Sequence, residues 1–215
     1  MEPTGGPKGI RSGRWRAWLG AALLAVAGQA SLARPRATVP ENAAELSRRR
    51  EMAQAILLQL FDALQEGQAG ARRLRLPRLV LGRERDTSAY SAWESNTIVI
   101  NQGIFEIAAS KDDREPDVVA AVLAHELGHI YFRHLPPRFR RGASSAAREA
   151  TRGQERAADL FGARLACQAG FDPRGAVNLL QTLSGLDREG AGAEDDHPSY
   201  QERIQYLKQE ARQCR

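Results

Sequence analysis

Two histidines flank a glutamate in the run His125-Glu126-Leu127-Gly128-His129. In an α-helix, residues four apart project from one face a single turn apart, so both imidazoles can reach one tetrahedral Zn²⁺ at about 2.0–2.1 Å. Glu126 lies one step round the helix, where its carboxylate can take the proton of a zinc-activated water as that water attacks a carbonyl. The spacing indicates metal-assisted hydrolysis, with a third protein ligand still to be supplied.

The residues before this run bear on how specific it is. The bare pattern arises by chance in roughly a few per cent of chains of this length, and its alternative interpretation is a pair of surface or hydrogen-bonded core histidines. Residues 120–124 are Ala-Ala-Val-Leu-Ala, which predicts that the helix is buried where the motif begins. Two histidines and a glutamate are costly to bury without a partner, and a metal ion is the natural one.

A second pair of side chains could complete the site. Glu155 and Asp159 are also four residues apart, so on a helix both face the same way. Glu155 can then ligate the metal, while Asp159 accepts a hydrogen bond from the free ring nitrogen of a ligand histidine. Alone, such a pair would be interpreted as ordinary surface carboxylates; beside the histidine motif we expect it to belong to the site.

The elements that must position these residues are mostly helices, and periodicity and breakers predict an α+β fold that is mainly helical with a small sheet on one side. The expected helices cover residues 43–65, 118–134, 155–169, 173–186 and 199–213, and the expected strands cover residues 76–81 and 97–101. The stretch 86–96 is polar and rich in turn-forming residues, and residues 138–152 are basic and rich in small residues.

The N-terminal 33 residues are typical of a secretory signal peptide, with a cationic start, an apolar run of about 12 residues and small residues that allow cleavage after Ala30 or Ala33. An uncleaved membrane anchor is the alternative, although the run is shorter than the ~20 residues that span a bilayer. Residues 34–42 then form a linker, and residues 43–215 form a single domain. We expect an exported, periplasmic protein whose membrane association, if any, is peripheral.

Charge and cysteine content narrow the function further. Of the formal net charge of +5, the first 30 residues supply three units, which leaves about +2 on a surface of mixed sign and no basic stripe. No nucleic-acid partner is therefore expected. Cys167 and Cys214 are the two cysteines, and an even number in an exported chain is compatible with one disulfide. Sequence leaves that bridge open, because it does not give the distance between the two Cα atoms.

Taken together, these motifs resemble a known family. The histidine motif, then Glu155-x-x-x-Asp159, then His197-Pro198 followed by Arg203, is similar to the gluzincin metallopeptidases of the HtpX and CAAX-prenyl-endopeptidase type, peptidase family M48. The resemblance covers about residues 43–207 and is greatest to periplasmic BepA-like and LoiP-like members and to mitochondrial Oma-type proteases. It implies a gluzincin-like domain in which the small sheet lies beside the active-site helix.

The resemblance also implies roles for particular residues. Glu155 would be the third ligand of one Zn²⁺ per chain, and Asp159 would support a ligand histidine. His197 would lie near the metal and either fill its open position at rest or bond the reaction intermediate; without the family, His-Pro would be interpreted as a turn. Arg203 would buttress the site or stabilise negative charge. His134, five residues beyond His129, falls on a different part of the helix, and we expect it to be structural.

The sheet has an implied role as well. Residues 88–90 through 98–103 resemble the family's edge strand and following helix, and Ile98, Val99 and Ile100 would form the edge strand that binds extended substrate. The expected function is a zinc endopeptidase that cleaves misfolded or misassembled cell-envelope proteins. The alternatives are a periplasmic chaperone or assembly factor that uses the same cleft with little proteolysis, and a helical domain with accidental motifs. The sequence does not predict an oligomeric state.

Overall fold

Six helices and three short strands make up the part of the chain that the structure describes. The structure, a computed structural model, describes residues 43–67, 74–110, 114–134, 145–186 and 198–214. The helices are α1 (Ala43–Glu66), α2 (Gln102–Ala109), α3 (Glu115–Phe132), α4 (Ser145–Gln168), α5 (Arg174–Leu186) and α6 (Tyr200–Ala211). The strands are β1 (Arg78–Leu81), β2 (Ala89–Ala92) and β3 (Thr97–Ile100). The predicted fold class, mainly helical α+β with a small sheet, is confirmed.

Helix α3 is the centre of the core. Pro116 and two acidic residues stand in its first turn, where a missing N–H is harmless and negative charge favours the helix dipole. Its next ten residues, from Val118 to Leu127, are all buried, and α1, α4 and α5 pack around them. A helix surrounded in this way holds its side chains in fixed positions, which is what a catalytic motif requires.

Two glycines let α3 and α4 approach each other closely. A Cβ atom on Gly162 of α4 would lie 2.9 Å from the backbone nitrogen of His125, and one on Gly128 of α3 would lie 3.1 Å from the Cα of Ala158. Both contacts are with backbone, which cannot move aside as a flexible side chain can. The absence of these two side chains therefore sets the separation between the helix that carries the histidines and the helix that carries Glu155.

The sheet has the order β1-β3-β2, with β1 parallel and β2 antiparallel to β3. The prediction that Ile98, Val99 and Ile100 form an edge strand is wrong, because β3 is the central strand and is paired on both sides. Its β-branched run fits that position, since Ile98 and Ile100 are fully buried. The strand next to α3 at the edge of the described sheet is β2, which lies in the stretch interpreted as turn-rich.

Most predicted helices agree with the structure to within three residues at each end, and α4 is the exception. It begins at Ser145, ten residues before the predicted start. Its first turns therefore lie in the basic, small-residue-rich stretch 138–152, where no helix was predicted. Alanine and arginine are good helix formers, and that propensity outweighs the lack of an apolar stripe. The early start adds nearly three turns before Glu155 and places that residue well inside the helix.

A disulfide joins the ends of two site-bearing helices. Cys167 near the end of α4 and Cys214 just after α6 are bonded, with their Cα atoms 5.9 Å apart. The bridge that the sequence left open is therefore present, and it fixes α6 against α4. Among the described residues, no helix is long and apolar enough to cross a membrane. The predicted signal peptide and linker lie outside the described residues.

Candidate active site

His125 and His129 face each other one turn apart on α3. Their Nε2 atoms are 3.0 Å apart and their ring planes are inclined by 71°. His125 is buried and His129 is partly buried, so the pair opens to solvent on the His129 side. Two imidazole nitrogens that converge without a protein partner between them form half of a metal site.

Glu155 of α4 completes a group of three side chains that could hold a metal ion. One of its carboxylate oxygens lies 3.5 Å from Nε2 of His125, and the other lies 3.5 Å from Nε2 of His129. All three ligand atoms fall within 4.8 Å of one another. Ligands of a tetrahedral ion at about 2.0–2.1 Å should stand about 3.3 Å apart, so these residues fit a divalent cation such as zinc and leave a fourth position open.

Asp159 forms a hydrogen bond with the ring nitrogen of His125 that does not face His129. Its Oδ1 lies 2.9 Å from Nδ1 of His125, which keeps the proton of the neutral ring on Nδ1 and leaves Nε2 free for the cation. Because Asp159 is one turn beyond Glu155 on α4, one helix face supplies both a ligand and the support for another ligand.

Arg203 and Tyr206 of α6 saturate the Asp159 carboxylate. Arg203 donates two hydrogen bonds to it, at 2.8 and 2.7 Å, and the Tyr206 hydroxyl donates a third at 2.5 Å. Burial alone would raise the pKa of Asp159, but the charge of Arg203 and the hydrogen bond with His125 outweigh burial and hold that pKa well below its usual range. The described contacts place Arg203 as a support of the site, one layer away from the ligand atoms.

Glu126 follows His125 on α3, and its carboxylate is buried. It is 3% exposed and accepts a hydrogen bond from the hydroxyl of Ser91 on β2. Burial raises the pKa of its carboxyl, with a further increase from the Glu155 carboxylate, while His125 and Ser91 act in the opposite direction. A carboxylate with a raised pKa is a better proton acceptor, which suits a general base.

The two ligand histidines have opposite affinities for a proton. Burial opposes protonation of His125, but its hydrogen bonds with Asp159 and Glu155 outweigh burial and raise its pKa to about 10. Burial and the charge on His125 together lower the pKa of His129 to about 3. A divalent cation between these rings must displace the proton of His125, because both ligands bind as neutral imidazoles.

An open, largely apolar cavity adjoins the site. Ala121 and Val122 of α3 line one side of it, and Ala176, Leu179 and Leu180 of α5 line another. His125 and Glu126 also contribute to its wall, so the cavity reaches the ligand and base positions. Its chemistry suits an aliphatic or aromatic group held directly beside the reacting atoms.

Three contributors escaped the sequence-based prediction. Ser91 lies in a strand that was not predicted, and Tyr206 could have been found from its position three residues after Arg203, on the same helix face. His134 was interpreted as structural, yet its Nδ1 lies 3.0 Å from Nδ1 of His129. His197 lies outside the described residues, and its expected place near the metal stays a prediction.

These side chains combine residues that could hold a divalent cation with an adjacent carboxylate suited to accept a proton, and that combination suits a metal-dependent hydrolase. The model of peptidase family M48 matches residues 47–140 and 137–211. The chain therefore belongs to peptidase family M48, and it is a metalloendopeptidase of the gluzincin type. A search of curated proteins gave no match.

Proposed function

We propose that this protein is a zinc-dependent endopeptidase that cleaves unfolded or misassembled proteins of the cell envelope. The observation that carries the proposal is the convergence of His125, His129 and Glu155 within 4.8 Å beside the buried carboxylate of Glu126. Zinc, when bound, polarises the scissile carbonyl and makes the attacking water more acidic. The remaining work falls to side chains of the chain itself.

Glu126 is the proton carrier. Its carboxylate accepts the proton of the attacking water and later delivers it to the nitrogen of the leaving amine, so that the base returns to its starting state. The raised pKa supports both steps, because the group must hold the proton between them. Ser91 orients the carboxylate from the sheet side, and His125 borders it from the helix side.

The edge strand β2 supports binding of extended substrates. In the described part of the sheet β2 pairs only with β3, and it lies against α3 with Ser91 in contact with Glu126. An unfolded segment that adds to its other edge would be held by backbone hydrogen bonds, which accept many sequences. The predicted mode of binding is thus retained, with β2 in place of Ile98, Val99 and Ile100.

The apolar cavity supplies the side-chain preference. A leucine- or phenylalanine-sized group next to the scissile bond would fill the space between α3 and α5, close to Glu126. Such groups are buried in folded proteins and exposed in unfolded ones, so this preference favours misfolded substrates. A folded protein could enter the site only through an exposed apolar segment in an extended conformation.

The proposal also covers the cellular compartment of the protein and its place within the family. The disulfide between Cys167 and Cys214 is of the kind that persists in oxidising compartments, which supports export to the periplasm. We place the protein with the BepA-like and LoiP-like members, with His197 near the open metal position. Mass spectrometry of the mature envelope protein should find an N-terminus at Ser31 or Arg34; retention of residue 1 would contradict cleavage.

The deciding experiment compares the wild-type protein with Glu126→Gln on casein. The amide keeps the size of the side chain but cannot accept the proton, so the variant should bind about one zinc per chain and lose about 10²–10⁴-fold in cleavage rate. Retained cleavage by a zinc-loaded Glu126→Gln protein would overturn the mechanism. Full complementation of a deletion strain by that variant would instead indicate the chaperone alternative.

A further inference from the structure

His134 makes a direct contact with the ligand His129. The two Nδ1 atoms are 3.0 Å apart, the ring centroids are 5.0 Å apart, and the ring planes are inclined by 74°. The Phe132 ring lies nearly parallel to that of His134, at an angle of 21° and 5.3 Å between centroids. The plane of the His134 ring is therefore set on both sides, by a stacked aromatic ring and by the ligand histidine.

The backbone turns to make this contact. On a continuous helix, a residue five positions on would point about 140° away from His129. Helix α3 instead ends at Phe132, and Arg133 adopts a left-handed conformation with φ 55° and ψ 43°. The N–H of His134 then donates to the carbonyl oxygen of His129 at 2.9 Å. Both the backbone and the ring of His134 thus return to the same residue.

The direction of the side-chain hydrogen bond follows from the ligand geometry. Nε2 of His129 faces Nε2 of His125 and the carboxylate of Glu155, so this nitrogen must offer its lone pair to a cation. A neutral imidazole carries one proton, which must then be on Nδ1. The nitrogen that lies within hydrogen-bond distance of that proton is Nδ1 of His134, which accepts.

We infer that His134 is a positioning residue that accepts the Nδ1–H of His129 and so aims Nε2 of His129 at the metal. The inference rests on the proposed metal site but not on peptide cleavage. The two ligand histidines are then supported differently, His125 by the anionic Asp159 and His129 by a neutral ring. His134 acts only through His129 and touches neither the other ligand atoms nor the base.

The test measures metal affinity in the full mature chain. Zinc dissociation constants are determined by chelator competition for the wild type, His134→Ala and His134→Asn. Loss of such a support weakens metal binding by about 10–100-fold, which is the expectation for His134→Ala. The Asn side-chain oxygen takes the place of Nδ1, so His134→Asn should bind within a few-fold of the wild type. The visible spectrum of bound Co²⁺ should change in the Ala variant and stay near that of the wild type in the Asn variant.

A second pair of variants tests the turn without altering the ring. Glycine favours positive φ, whereas a β-branched residue opposes it, so zinc affinity should be higher in Arg133→Gly than in Arg133→Val. This comparison keeps the inference falsifiable if His134→Ala fails to fold. Equal zinc affinity in His134→Ala and the wild type, or equal affinities in the two Arg133 variants, would overturn it.

The outcomes also separate this inference from the proposed function. A wild-type protein that binds no zinc overturns both. A wild-type protein whose zinc affinity depends on His134 as described, but which cleaves no unfolded protein, supports the role of His134 and overturns the peptidase proposal.

Discussion

Arg203 donates two hydrogen bonds, of 2.8 and 2.7 Å, to the carboxylate of Asp159, although the two residues are 44 positions apart in the chain. Both side chains are buried, each with only about 5% of its surface exposed, so the ion pair is largely shielded from bulk water. Because Asp159 also holds His125, the arginine on α6 sets the orientation of a metal ligand on α3 without touching it.

Removal of Arg203 should destabilise the protein strongly. Arg203→Met leaves the buried Asp159 charge without its main partner, and breaking a buried pair in this way lowers the free energy of unfolding by about 3–5 kcal/mol. Urea denaturation of the zinc-free protein measures the change. The double variant Asp159→Asn with Arg203→Met should recover part of the loss, since no unpaired charge remains; additive losses would show that the two side chains act independently.

Acid should weaken this part of the fold. The pKa of Asp159 in the folded protein is held below its ordinary value of 3.8, so its ionisation contributes stability that is fully present above pH 3.8 and is lost as the pH falls toward the folded-state pKa. Between pH 5 and pH 3, the zinc-free wild type should lose more free energy of unfolding than Asp159→Asn, which has no such group. Equal losses in both proteins would contradict a depressed pKa.

Close packing of α3 on α4 should be sensitive to one methyl group. In Gly162→Ala the new Cβ would meet the backbone of His125 at 2.9 Å, so the helices must separate and Glu155 must move away from the histidines. We expect a loss of about 1–3 kcal/mol in stability, together with weaker zinc binding.

Gly153→Ala is the matched control for that variant. Gly153 lies on the same helix, and a Cβ there would meet no atom within 4 Å. Alanine favours the helix over glycine by about 0.5–1 kcal/mol, so this variant should be equal to or more stable than the wild type and should bind zinc equally well. A similar response of both variants would show that helix propensity, rather than close approach, decides the effect.

The apolar cavity should set the size of the preferred substrate residue. Ala176→Leu adds three carbon atoms to the cavity wall and should reduce kcat/KM for peptides with phenylalanine beside the scissile bond more than for peptides with alanine there. Pocket volume of this kind is worth about 10–200-fold in discrimination. Cleavage of a peptide library can be followed by mass spectrometry. An equal change in kcat/KM for all peptides would show that the cavity does not recognise the substrate residue.

Most of the candidate site could be predicted from the sequence, because its side chains lie at fixed spacings within single helices. The pairs His125 with His129 and Glu155 with Asp159 each repeat at one helical turn, and that period decides which side chains share a face. Hydrophobic periodicity likewise predicted five helices. The expectation that the two pairs meet came from the need for a third metal ligand and from the family resemblance, because no local rule states that α4 lies against α3.

Strand β2, the strand order and the position of His134 could not be predicted from the sequence. They depend on contacts between distant residues or on a local break in regular structure. Strand β2 has small and polar residues whose strand conformation comes from pairing with β3, so its propensity gives little signal. The order of the strands, and with it the edge, is set by packing against α3. The expectation that His134 lies on a different part of the helix from His129 is wrong, because α3 ends at Phe132 and the left-handed Arg133 turns the chain back toward His129.

The bond between Cys167 and Cys214 has a consequence for how the protein withstands proteolytic cleavage. Any single cut in the 46 residues between them, which include all of α5 and α6, leaves two fragments that stay covalently attached. A nicked molecule would retain Arg203 and Tyr206 and migrate as an intact chain until a reductant is added. Covalent separation of the fragments therefore requires a second cut or reduction of the disulfide.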